Sequence, residues 1–100
     1  GRKQEMAIGF NGEKITLTAL LCGRHSDFLH HLYKIQFINT SPGELDIKII
    51  TKETFNINHK AEIVNNFSNS EGMPFNCNIN VVDKLIQTEN GKEKVLIKTF

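Results

Sequence analysis

The stretch from Tyr33 to Ile49, YKIQFINTSPGELDIKI, decides the fold of this 100-residue chain. Tyr33, Ile35 and Phe37 alternate with Lys34 and Gln36, the period of two that sends apolar side chains to one face of a strand. Leu45, Ile47 and Ile49 repeat the pattern against Asp46 and Lys48. Thr40-Ser41-Pro42-Gly43 between them is a turn, with proline fixing one dihedral and glycine permitting a positive one. The two runs therefore form a hairpin with one buried face.

Toward the N-terminus, Met6 to Phe10 reads as a short apolar strand, and Asn11-Gly12 as a tight turn. Glu13 to Leu17 returns as a second strand with Ile15 and Leu17 on one face. Thr18 is placed to cap a short helix carrying Ala19, Leu20, Leu21 and Cys22, stopped near Gly23. Ser26 to His31 reads as a further helical turn or a loop. Toward the C-terminus, Asn58 is placed to cap a helix whose stripe is Ala61, Ile63, Val64 and Phe67. Glu62 in its first turn suits the helix dipole, Gly72 ends it and Pro74 prevents its resumption. Cys77, Ile79 and Val81 alternate with Asn78 and Asn80 as another strand. Thr88 to Glu93 is a polar loop around Asn90-Gly91, and Val95, Ile97 and Thr99 form a closing strand. The sum is an α+β domain over residues 1–100: a small antiparallel or mixed sheet with two helices on one face.

Twelve Lys plus Arg against eleven Asp plus Glu give a near-balanced charge, which offers no footprint for nucleic acid or a membrane surface. Seven Phe, no Trp, and many Ile, Leu and Val suffice for one core. No apolar run approaches the roughly 20 residues of a membrane span, and the expected location is the cytoplasm. Cys22 and Cys77 could form one disulfide, but two free thiols are the expectation.

Few residues announce chemistry. Cys22, His25, His30 and His31 crowd into ten positions, yet their spacing matches no zinc pattern, and no metal site is expected. No phosphate loop, dinucleotide fingerprint or nucleophile elbow is present. The Gln87 to Lys94 loop stands apart, because Asn90-Gly91 can hold Lys92 outward at a hairpin tip. Such a side chain is either an ordinary solvated lysine or an ammonium presented to another domain's active site, where it neutralises carboxylate and phosphate charge.

The order of motifs weighs on that choice. Gly1-Arg2 opens the chain, Gly12-Glu13-Lys14-Ile15 follows the first strand, a helix runs from Ile63 to Gly72, a strand from Cys77 to Val82, and Thr88-Glu89-Asn90-Gly91-Lys92 comes last. Over essentially the whole chain this resembles the C-terminal lid domain of adenylate-forming ligases, in particular phenylacetate–CoA ligases and their CapK-like relatives in capsular polysaccharide biosynthesis. The resemblance implies that Lys92 is the catalytic lysine of adenylation, that Arg2 and Lys14 lie near the nucleotide, and that Gln4 occupies the hinge position usually held by an acidic residue. The proline that usually precedes the Gly-Lys loop is replaced by Leu85 to Thr88. It further implies ATP with magnesium, a carboxylic acid and coenzyme A as ligands of the whole enzyme, held mainly by an N-terminal domain that is the lid's partner. The fragment alone is expected to bind none of them and to be inactive. A stand-alone α+β binding or dimerisation module is the alternative.

Overall fold

A computed structural model describes residues 5–21, 28–68, 74–87 and 91–100. The domain is α+β, and its described residues form two sheets and two α-helices. Strands β1 (Met6–Ile8) and β2 (Lys14–Thr16) make a two-stranded antiparallel sheet. Helix α1 (Leu17–Leu21) follows directly, and Phe28–His31 forms a 3-10 turn. Strands β3 (Leu32–Ser41) and β4 (Glu44–Thr51) are the antiparallel hairpin anticipated from their alternation. Helix α2 (Ile57–Ser68) then leads to β5 (Asn76–Val81), which lies parallel to β4. Strand β6 (Leu96–Lys98) lies parallel to β3, so the main sheet runs β5-β4-β3-β6.

The register explains which side chains meet. Ile35, Phe37 and Asn39 pair with Ile49, Ile47 and Leu45, and these pair in turn with Val81, Ile79 and Cys77. Cross-strand partners share a face, and Phe37 meets Phe67 of α2 edge to face, with ring centroids 5.2 Å apart. Phe67 also packs edge to face on Phe28 at 6.2 Å. Leu20, Leu45, Ile47, Ile49, Ile63 and Leu96 complete this interior. The two-stranded sheet lies across the turn end of β3–β4. Fully buried Asn39 accepts a hydrogen bond from Ile8 N at 2.6 Å and donates to the carbonyls of Ser41 and Glu44, each at 2.9 Å. Gly43, at φ 83°, closes the β3–β4 turn with the Phe10 ring packed where a side chain would begin.

Five local expectations need correction. Tyr33 is 70% exposed, not part of the buried face. Leu32 pairs with Thr51 and Lys34 with Ile50, so Tyr33 is the extra residue of a bulge. Thr16, not Thr18, caps α1, accepting from Ala19 N at 3.1 Å; the strand ends there and Leu17 begins the helix. Asn56, not Asn58, caps α2: its Oδ1 accepts from Asn58 N at 2.9 Å and, more weakly, from His59 N. Asn56 N donates in return to His59 Nδ1 at 3.0 Å, a reciprocal cap in which histidine takes the third helical position. With the cap moved back, Glu62 falls outside the first turn. In β6, Leu96 is the residue turned into the core, while Val95 and Ile97 are half-buried. The readings that rest on Arg2, Gln4, Cys22, Gly23, His25, Ser26, Gly72 and Thr88 to Asn90 lie outside the described residues.

Candidate functional site

The main sheet has a second covered face. After β5, Val82 N donates to Ile49 O at 2.9 Å. The chain then passes from the β5 edge to the β6 edge and returns to the sheet where Phe37 N donates to Val95 O at 2.7 Å. Lys34, Gln36 and Ile38 alternate with the Phe37 face, so this crossover lies on the side opposite α2. Ile38 and Leu85 are buried there. Gln36 is wholly buried, donating from Nε2 to Ile86 O at 2.9 Å and Lys94 O at 2.8 Å, and accepting Ile86 N at 3.0 Å on Oε1. Alternation alone had turned Gln36 to solvent with Lys34; the covering segment arrives from 50 residues later, and no local signal announces it.

Lys92 is carried on this crossover. The structure corrects the expected hairpin tip, because β5 and β6 occupy opposite edges of the sheet and cannot be the arms of one hairpin. Gly91 has a φ of 71°, a conformation costly for residues with a Cβ. A Cβ at Gly91 would meet open space, so backbone conformation, not crowding, is what glycine supplies. Lys92 follows it, exposed. Its neighbour Glu93 accepts from Lys34 Nζ at 2.5 Å. Beside this pair lies an open cleft of about 530 Å³ whose walls include Asp83, Lys84 and Gln87. Two lysines and two carboxylates line it, so the cleft by itself selects no ligand charge.

Lys14 is exposed on β2, paired with Ile8. Ile8 is bonded to Asn39, whereas the Lys92 segment is anchored at Lys34 and Gln36. The five residue steps along β3 from Lys34 to Asn39 span roughly 16 Å. The structure therefore does not bring Lys14 and Lys92 together.

His31 and His59 take structural partners. His31 Nδ1 lies 2.6 Å from Thr54 Oγ1, and its ring stacks on His59 with centroids 3.9 Å apart. His59 Nδ1 is engaged by the α2 cap. Among the described residues no group of three or more His, Cys, Asp or Glu is placed to hold a metal ion. Cys77 is half-buried on β5. No helix among the described residues is long and apolar enough to cross a membrane.

The family model described as "CapK C-terminal domain" matches residues 10–99. The chain belongs to the CapK C-terminal domain family. No curated protein and no solved structure matches it. The matched range takes in both Lys14 and Lys92 of this CapK C-terminal domain, while Arg2 and Gln4 precede it.

Proposed function

We propose that this CapK C-terminal domain is the mobile lid of an acyl-adenylating ligase and that Lys92 is its adenylation lysine. The observation that carries the reading is the placement of Lys92: exposed, directly after a positive-φ glycine, on a segment tied to the sheet on both sides. An ammonium presented on such a support suits insertion into a neighbouring active site. There it stabilises the charge that develops as a carboxylate oxygen of the acid attacks the α-phosphorus of ATP and pyrophosphate leaves. The nucleotide, its magnesium and the acid belong in this reading to a larger N-terminal domain, with Arg2 and Lys14 contributing near the nucleotide and Gln4 at the hinge.

In the second half-reaction the lid turns and a thiol, that of coenzyme A, attacks the acyl-adenylate, forming the thioester and releasing AMP. Separation of Lys14 and Lys92 along the sheet fits a domain that shows different faces at different stages. Closure would also keep water from a hydrolysable intermediate.

The test is acid-dependent pyrophosphate exchange by the full-length protein with a panel of carboxylic acids. Lys92→Ala is expected to lower exchange at least about 100-fold, a loss of about 3 kcal/mol of transition-state stabilisation. Exchange indifferent to the substitution would contradict the assignment. The 100-residue domain alone is expected to give no exchange.

A further inference from the structure

Gln36 lies near the middle of β3 with its side chain sealed from solvent. A carboxamide in such a place is costly unless its donors and acceptor are matched. Here all three of its bonds go to one segment of chain, and that segment carries Gly91-Lys92. Nε2 reaches the carbonyls of Ile86 and Lys94, and Oε1 receives Ile86 N. Ile86 and Lys94 are the two limbs of the loop. One side chain therefore closes it, much as a neighbouring strand would.

We propose that Gln36 is a positioning residue for Lys92, holding the base of its loop so that the ammonium is presented in one geometry; this rests on the adenylation role given to Lys92 above. A lysine reaches its target on a flexible four-carbon stem, so the definition of its position must come from the backbone beneath it. Electrostatic stabilisation of a transition state depends on that preorganisation. The Lys34–Glu93 ion pair reinforces the same loop, but its side chains are 49% and 29% exposed, and solvent screens such pairs. The three hydrogen bonds of the buried Gln36 carboxamide are the stronger constraint.

The experiment uses the full-length protein and measures two half-reactions: acid-dependent pyrophosphate exchange, and thioester formation from supplied acyl-adenylate. Gln36→Met keeps the side-chain length and removes all three hydrogen bonds. It is expected to lower exchange roughly 10- to 100-fold, mainly in kcat, the loss expected of a misplacement near 1 Å. Thioester formation should stay within about twofold, and the substitution should add nothing in a Lys92→Ala background. Gln36→Asn keeps the amide but is one methylene shorter. It is expected to fall between wild type and Gln36→Met, and it decides the same question if the methionine variant does not fold. Equal losses in both half-reactions, an undiminished further loss on top of Lys92→Ala, or unchanged exchange would each overturn the positioning role. If Lys92→Ala abolishes exchange while the Gln36 variants do not lower it, only the positioning role falls. If Lys92→Ala leaves exchange intact, the adenylation reading falls and the positioning role with it.

Discussion

Asn39 and Gln36 stand three positions apart on β3 and therefore serve opposite faces of the sheet. Asn39 binds the β1 strand and the β3–β4 turn, and Gln36 binds the crossover. Each is a buried amide whose bonding partners would be stranded by its removal. Asn39→Ala is expected to destabilise the domain by roughly 2–4 kcal/mol, since several partly buried backbone groups lose a partner at once. Chemical denaturation measures the loss, and faster amide exchange at Ile8 would locate it; a change below about 1 kcal/mol would show the β1 attachment to be dispensable. Gly91 belongs to the same scale. With open space around its missing Cβ and φ at 71°, Gly91→Ala should lower pyrophosphate exchange more than Gly91→Asn, because asparagine tolerates the left-handed region better. Equal effects of the two would mean that backbone conformation at Gly91 does not control Lys92.

Among elements, the hairpin was legible in the sequence because Ile35 and Phe37 of β3 and Leu45, Ile47 and Ile49 of β4 alternate with polar residues and Pro42-Gly43 fixes the turn between them. The strand through Cys77 and Ile79 was legible for the same reason. Helix starts were displaced by two residues because like residues compete: Thr16 and Thr18 can each cap α1, and Asn56 and Asn58 can each cap α2. Local preference does not separate them, whereas the position of the neighbouring strand and the partner His59 do. Asn56→Ala is therefore expected to lower stability by about 1 kcal/mol, with Asn58→Ala within about 0.5 kcal/mol of wild type. Thermal unfolding of the two variants distinguishes the caps, and the reverse order would return the cap to Asn58. Phe67, between Phe28 and Phe37, holds α2 to the sheet; Phe67→Ala should destabilise by roughly 3–5 kcal/mol in the same measurement.

For the molecule as a whole, the α+β class followed from the order of its periodic segments, but the covering of the second sheet face did not. Gln36 and Lys34 carry the polar pattern of a solvent face, and only the positions of residues 82–87 and 91–95 reveal that Gln36 is enclosed. Lys92 could likewise be singled out from Asn90-Gly91, yet its support could not, because β5 and β6 are separated in the sheet by two strands that precede them in sequence. What the fold offers is an exposed lysine on an anchored crossover at one end of the sheet and Lys14 toward the other. A lid that serves two half-reactions should reveal that division kinetically. The most direct measurement is the effect of Lys92→Ala on the two steps taken separately in the full-length protein. Acid-dependent pyrophosphate exchange should fall by about two orders of magnitude or more while thioester formation from supplied acyl-adenylate persists. Exchange that survives the substitution unchanged would contradict the assignment of Lys92 and, with it, the adenylation account of this domain.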